Sequence, residues 1–423
     1  MSNTSSDITS LLARRRRLLG PTYGHFYAEP LHFVRAEGVW MYDAEGRAYL
    51  DVYNNVPVVG HCHPHVVEAL SRQARTLNTH TRYLTDQPLE LAERLLATMP
   101  DEIGHMIFTC TGSEANDLAI RIAKATTGGT GVIVSEFAYH GITETLAGMS
   151  PSSGTGQLGP GVFAVPAPIS QASAADFPAA IQRCLERMQA ANIKPAALLA
   201  DTIFSSDGVA SHAPGFLADA AKHVRAAGGL VIADEVQPGF ARTGQHMWGF
   251  QRHGLVPDLI TMGKPMGNGH PIAALAARPE LLEQFGARTR YFNTFGGNTV
   301  SCAVALAVLD VIERQGLMRN AHDIGNYLLA GLARLAAQHP CLGEVRGAGL
   351  FIGLPVLATS AGADDSRQRA ARIVNALKQR GALIGLAGPK ADVLKIRPPL
   401  TFGRAEADLL LERLDQAIRD SST

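Results

Sequence analysis

Between residues 105 and 264 the chain repeatedly alternates short, wholly apolar runs of strand length with longer stretches of helical spacing. The apolar runs lie in HMIFTCT, GVIVSE, ALLADTI, GLVIADE and DLITMGK. Among the intervening stretches are TGSEANDLAIRIAKATTG, where Ala115, Leu118, Ala119 and Ile122 fall at helical spacing, and GFLADAAKHVRAAG. Strands without a polar face are buried on both sides, and strands joined through helices run parallel. The pattern therefore predicts an α/β fold with a mainly parallel, doubly wound sheet and a ligand site at the carboxyl ends of the strands.

The flanks read differently. VRAEGVWMYDAEGRAYLDVYNN (34–55) predicts two short strands around a DAEG turn, and PHVVEALSRQARTL and LELAERLLATMP predict amphipathic helices. From about residue 300 two long helical stretches precede GEVRGAGLFIGL and DVLKIRPPLTF, with a mobile segment expected around ATSAGADDS. This divides the chain into an N-terminal segment, 1–65, that packs with a small C-terminal α/β domain, 305–423, around a large domain, 66–304.

Composition excludes several classes. Lys+Arg and Asp+Glu both total 38, so no net field steers nucleic acid or an acidic membrane. The basic run Arg14 to Arg17 reads as the solvated face of a helix, because no apolar targeting core or cleavage site follows it. No apolar run reaches the length of a membrane span. Five widely spaced cysteines without a C-x-x-C argue against a disulfide framework or a zinc ribbon, and point to a reducing, cytoplasmic compartment.

The chemistry concentrates where strands end. In CTGSEAND (110–117) a strand passes into a helix through Thr111, Gly112 and Ser113, so that free backbone N–H groups and hydroxyls form a cradle for an anion such as phosphate. The same residues also suit a capping box. LVIADEVQPGF ends a strand in Asp234, Glu235 and Gln237, where a carboxylate suits three tasks: binding metal, pairing with a protonated heteroaromatic nitrogen, or capping the next helix. TMGKPMGNGH sets Lys264 among glycines at the end of another strand, either as a salt-bridged core lysine or as a reactive amine. Brought into one crevice, these features suit an aldehyde cofactor with a phosphate and a pyridine nitrogen, and a partly desolvated lysine there is a nucleophile.

Together TGSEAND, AYHG, ADEVQPGFARTG, TMGKPMGNGHP and FNTFGGN resemble the class III branch of fold-type I pyridoxal-phosphate aminotransferases, over nearly the whole chain. NNVPVVGHCHP, MGKPMGNGHP and VLKIRPPL are similar to the alanine–glyoxylate aminotransferase 2-like subgroup, which includes ω-aminotransferases and phospholyases acting on phosphoethanolamine or phosphohydroxylysine. The resemblance implies a pyridoxal 5'-phosphate cofactor held by Lys264 as a Schiff base, with Asp234 on the ring nitrogen and Gln237 on the phenolic oxygen. It further implies Val236 and Tyr139 on the two ring faces, His140 beside them, and Gly112 and Ser113 on the phosphate. Thr294 of FNTFGGN is expected to reach the phosphate of a neighbouring subunit's cofactor, which implies a homodimer with shared sites, or a tetramer built from it. Arg397 of KIRPP is expected to take the substrate carboxylate, with Tyr53 and Asn55 nearby.

One segment departs from the family. Many class III enzymes carry Glu-Pro-Val/Ile-Gln-Gly ahead of the carboxylate strand, whose glutamate screens the substrate arginine; here the segment is ADTIFSSDGV with Asp201, which implies a different gate. Three other motifs point elsewhere. His61, His63 and His65 of HCHPH alternate like metal ligands, yet Pro64 interrupts them and no acidic partner is near in the sequence, so no metal is expected. RGAGLFIG has the wrong glycine spacing for a dinucleotide site, and Pro265 follows Lys264 where a P-loop needs Ser or Thr. Because no basic cluster beyond Arg397 is evident at the strand ends, the reading favours transamination from an ω-amino acid or amine to a small 2-oxo acid such as pyruvate. Elimination of phosphate from a phosphoethanolamine-like amine is its alternative.

Overall fold

All five apolar runs form strands of a single seven-stranded sheet in the computed structural model, which describes residues 8–153, 157–210, 214–358 and 365–421. Across the sheet the order is His105–Thr109, Ala273–Ala277, Leu259–Met262, Leu230–Asp234, Pro195–Asp201, Gly131–Ser135 and Val162–Val165. Two of these strands, Val162–Val165 and Ala273–Ala277, lie outside the five runs read from the sequence. Ala273–Ala277 is antiparallel to both neighbours, whereas the pairings from Leu259–Met262 outward to Val162–Val165 are parallel. The reversal has a simple cause: the connection 263–272 is shorter than the dozen or so residues that a parallel crossover requires.

Alternate residues of each strand feed opposite faces. Leu198, Val231, Ala233 and Ile260 join one core, while Ala197, Leu199, Ile232 and Leu259 join a second. Register aligns the strand ends, with Asp201 opposite Asp234 and Asp234 opposite Thr261. Three chemically active positions are thereby gathered at one carboxyl edge.

The N-terminal region forms three antiparallel strands, Phe33–Glu37, Trp40–Asp43 and Ala48–Asp51, where the sequence reading expected two. The DAEG turn does join the second and third. Ala382–Leu383 pairs in parallel with Ala48–Asp51, tying the chain's beginning to its C-terminal part. A separate antiparallel sheet holds Arg346–Ala348, Phe351–Pro355, Val393–Ile396 and Gly385–Ala387. RGAGLFIG is thus a β-hairpin, with none of the strand-to-helix geometry that a dinucleotide site needs. Arg397 N–H donates to Val52 O (2.8 Å), which brings KIRPP against the N-terminal segment. Residues 359–364 of the segment expected to be mobile lie outside the described residues. Among the described residues no helix is long and apolar enough to cross a membrane.

Candidate active site

Lys264 opens a short 3-10 turn, Lys264–Gly267, directly after the Leu259–Met262 strand. Its φ of 32° is one that non-glycine residues rarely adopt, and strain of this kind persists where the surroundings over-determine the position. Asn268 is one such constraint: its Oδ1 accepts from Val59 N–H (3.0 Å) and its Nδ2 donates to Gly60 O (2.9 Å). Among the described residues Lys264 makes no ion pair, so the reading as a salt-bridged core lysine is set aside. Burial holds its amine below the ordinary lysine range and the positive charge of Arg397 adds to this, while Asp234 and Asp201 oppose it.

Thr111 caps the helix Gly112–Thr127. Its hydroxyl accepts from Glu114 N–H (3.1 Å), and Glu114 Oε2 in turn accepts from Thr111 N–H (3.0 Å) and Cys110 N–H (2.7 Å). The capping box and the anion cradle therefore coexist, because the box uses Thr111 and Glu114 and leaves the first-turn N–H groups of Gly112 and Ser113 directed outward. Ser113 Oγ accepts from Ile142 N–H (3.2 Å), and a Cβ at Gly141 would lie 2.6 Å from that oxygen. A Cβ at Gly112 would lie 2.8 Å from Val236 Cγ2, so Val236 rests directly on the cradle.

Asp234 is buried and takes three donors. Asn116 Nδ2 (2.8 Å) and His140 Nδ1 (2.7 Å) donate to Oδ2, and Val236 N–H (3.1 Å) donates to Oδ1. Gln237 Oε1 accepts from Arg397 Nη1 (2.9 Å), and Gln237 O accepts from Asn55 Nδ2 (3.0 Å). Asn55 is thus a buried support of the Gln237 backbone. Tyr53 lies 5.1 Å from the Arg397 guanidinium by ring centroid, and the Lys264 amine lies 5.9 Å from the centroid of Tyr139.

Lys264, Asp234, Val236, Gln237, Tyr139, His140, Gly112 and Ser113 all line one cavity of about 320 Å³. Its donors, carboxylate and unpaired amine suit a pyridine aldehyde carrying a phosphate. Thr294 lies elsewhere: it is exposed on a loop, between Phe292 and Phe295, which are 40% and 69% exposed. That loop turns on Asn293, whose Oδ1 accepts from Phe295 N–H (3.1 Å) and Gly296 N–H (2.9 Å).

Four more residues belong to the site's surroundings: three that the sequence reading left without a role there, and Asp201, which it linked only to a different gate. Asn116 and Thr261 are linked by a 2.5 Å hydrogen bond behind Asp234. Asp201 also lines the cavity, but its oxygens accept from the N–H groups of Ile203 (3.0 Å) and Ser205 (2.9 Å), and it makes no ion pair with Arg397. The fourth is Lys395, buried on the Val393–Ile396 strand two residues before Arg397, and so directed to the same side. No ion pair to Lys395 or Arg397 occurs among the described residues. Burial holds the Lys395 amine well below the lysine range, and the charges of Arg397 and Lys264 lower it further against the pull of Asp201 and Asp207. The expectation that Arg397 stands without a basic neighbour is corrected here. Its signal, K-x-R on one strand, was legible in the sequence.

The three histidines of HCHPH diverge. His61 Nε2 meets Asp51 Oδ2 (2.7 Å), His65 Nε2 meets Asp310 Oδ2 (2.9 Å), and His63 Nε2 meets Gln315 Nε2 (3.2 Å). Folding thus supplies acidic partners that the sequence neighbourhood lacked, but to separate imidazoles, and no cluster of metal-binding side chains occurs among the described residues.

The sequence model for aminotransferase class-III matches residues 23–418. A solved phospholyase from Arthrobacter in complex with phosphoethanolamine is similar at 43% identity, with 97% of this chain and 99% of that chain covered and a TM-score of 0.92. An alanine–glyoxylate aminotransferase 2-like protein of Drosophila melanogaster is 38% identical over 95% of this chain and 85% of its own length. Ethanolamine-phosphate phospho-lyase homolog 1 of Caenorhabditis elegans is 34% identical over 96% and 93%.

Proposed function

The chain belongs to the class-III aminotransferase family, and from that premise we propose that it eliminates phosphate and ammonia from a phosphoethanolamine-like primary amine. The cofactor is pyridoxal 5'-phosphate, which when bound supplies an aldehyde that condenses with amines and a ring that withdraws electrons. Gly112 and Ser113 would hold its phosphate, Asp234 the ring nitrogen and Gln237 the phenolic oxygen. Lys264 would hold the aldehyde and, once the substrate amine has displaced it, its freed Nζ would accept the proton from the substrate carbon next to that amine.

One observation carries the choice of reaction: Lys395 and Arg397 are two buried basic groups that make no ion pair among the described residues. Such an arrangement is costly until an anion completes it. A phosphate dianion takes both groups, and its charge favours the protonated form of Lys395. The likeness to two phospholyases supports this reading. Transamination to a 2-oxo acid is the second reading, favoured by the Arg397 fork, which suits a single carboxylate, and by the likeness to the aminotransferase 2-like protein. In either case we propose a homodimer in which Thr294 reaches the partner's cofactor phosphate. The compartment we propose is a reducing cytoplasm, in keeping with five free thiols.

The test is to supply phosphoethanolamine to the loaded enzyme and follow inorganic phosphate and ammonia. Catalytic release is expected, with Lys395→Met raising KM for phosphoethanolamine about tenfold or more, as loss of one charged contact does. If no phosphate appears while an ω-amino acid alone converts the cofactor stoichiometrically to pyridoxamine phosphate, the transaminase reading replaces this one.

A further inference from the structure

We propose that a free oxyanion, bound at Lys395 and Arg397, activates the enzyme towards amines that carry no anion of their own. The inference rests on the reading that this pair takes the substrate's phosphate, and it concerns what the pair requires when the substrate brings none.

The two basic heads share one wall. Lys395 Nζ lies 5.4 Å and the Arg397 guanidinium 5.7 Å from the centroid of the same buried Phe351 ring. Arg397 Nη1 is engaged by Gln237 Oε1 (2.9 Å), and Gln237 lines the cavity that holds Lys264. Arg397 Nε is a buried donor with no hydrogen-bond partner.

After burial, the carboxylates that bear on these groups are Asp201 and Asp207 at Lys395, and Asp51 and Asp201 at Arg397. Each is committed elsewhere. Asp51 Oδ1 accepts from the N–H groups of Tyr53 (3.1 Å) and Asn54 (2.9 Å), and its Oδ2 meets His61 Nε2. Asp207 accepts from Ser135 Oγ (2.7 Å) and Phe137 N–H (2.9 Å). Asp201 is tied to the N–H groups of Ile203 and Ser205, both buried, and turning it towards Arg397 would leave two buried donors unpaired.

The segment that carries Asp201 and Asp207 is fixed as well. Ile203 and Val209 pack with Phe351 in one buried cluster. The N–H groups of Phe204, Val209 and Ala210 donate to Asp201 O (3.0 Å), Phe204 O (3.1 Å) and Ile203 O (2.7 Å), closing the loop on itself. The segment that departs from the family pattern therefore does not screen the arginine, and an anion from outside completes the pair. A substrate that carries its own anion does this on binding, and part of that binding energy serves to hold its amine carbon at Lys264. An amine without one leaves the pair open, and a separate oxyanion supplies the missing half.

The test gives the loaded enzyme ethylamine and phosphite at constant ionic strength. Ethylamine is phosphoethanolamine without its phosphate ester, and phosphite is an oxyanion that is neither substrate nor product. In deuterium oxide the freed Lys264 Nζ takes a proton from the carbon beside the amine, exchanges it with solvent and returns a deuteron to the same carbon. One C–H bond breaks, one C–D bond forms and nothing is oxidised. Deuterium in the recovered ethylamine, read by mass spectrometry, is expected to accumulate about tenfold or more faster with saturating phosphite, the scale of one charge-assisted contact. Calorimetry should show phosphite binding to the loaded wild-type protein, and Lys395→Met should lose binding and acceleration together. Equal exchange with and without phosphite would overturn the proposal, as would exchange that phosphite slows, or acceleration that survives in Lys395→Met. Phosphoethanolamine assayed in parallel keeps the two readings apart. Phosphate release without phosphite activation removes this inference alone, whereas phosphite activation without phosphate release removes the phospholyase reading and leaves the activating site to serve another anion.

Discussion

His253 and Glu235 are buried on either side of Thr202, and together they predict a pH dependence that the native protein conceals. Gly215 N–H donates to His253 Nδ1 (3.3 Å), and His253 Nε2–H donates to Thr202 O (3.1 Å), so both ring nitrogens are used in the neutral form. Burial, and then the neighbouring Arg252, hold this histidine down at about 4, from an ordinary value of 6.5. The unfolded chain binds the proton at 6.5 and the native state only near 4, so the stability present above pH 6.5 is lost as pH falls to 4. That amounts to about 3 kcal/mol, at about 1.4 kcal/mol per unit. Glu235 behaves oppositely. Burial pushes its carboxyl up to about 7 from 4.5, against donors from Thr202 Oγ1 (2.7 Å), Gly249 N–H (2.7 Å) and Phe250 N–H (2.8 Å). The unfolded chain releases that proton at 4.5 while the native state keeps it to 7, so stability falls as pH rises between them. From pH 4.5 to 6.5 the two slopes cancel. His253→Gln keeps a donor and an acceptor but cannot titrate, and so exposes the Glu235 slope. Relative to wild type, the variant should lose about 2–3 kcal/mol as pH rises from 4.5 to 6.5. Urea unfolding at half-unit pH steps measures this, with unchanged m-values required for the comparison. Parallel profiles for the two proteins would refute the reasoning.

Three further perturbations address the site. Lys264→Ala should abolish turnover and the borohydride-reducible link to the cofactor while the protein stays folded; intact-mass measurement after reduction checks it, and an active variant removes the lysine from the mechanism. Gly112→Ala drives a Cβ to within 2.8 Å of Val236, a strain of about 1–3 kcal/mol that should weaken cofactor binding about tenfold or more, read by spectral titration. Thr294→Ala should leave a dimer in sedimentation but speed cofactor loss on dialysis; a stable, active monomer would contradict the shared site.

What local pattern encodes was legible. Runs such as GVIVSE and ALLADTI are apolar on both faces and could only be buried strands, and Lys264, Asp234 and the Gly112–Ser113 turn stood at strand ends, where a parallel sheet opens its crevice. Ala273–Ala277 was not legible, because AALAA has no preference for a strand and gains one only by lying between His105–Thr109 and Leu259–Met262. The strand before Gly38 was missed for a similar reason: its side chains are largely exposed and carry little apolar signal.

Residue types and their order along the chain determined the sheet, the strand-end positions of the lysine, the carboxylate and the cradle, and the likeness to a family, since each depends on neighbours in sequence. Tertiary structure decided the rest. Register set Asp201, Asp234 and Thr261 side by side, and folding carried Asn116 and His140 onto one carboxylate oxygen. Folding also left Lys395 buried beside Arg397, with no ion pair to either among the described residues. These features depend on distances between residues far apart in the chain, and such distances follow from how helices and strands pack, which short-range periodicity does not specify.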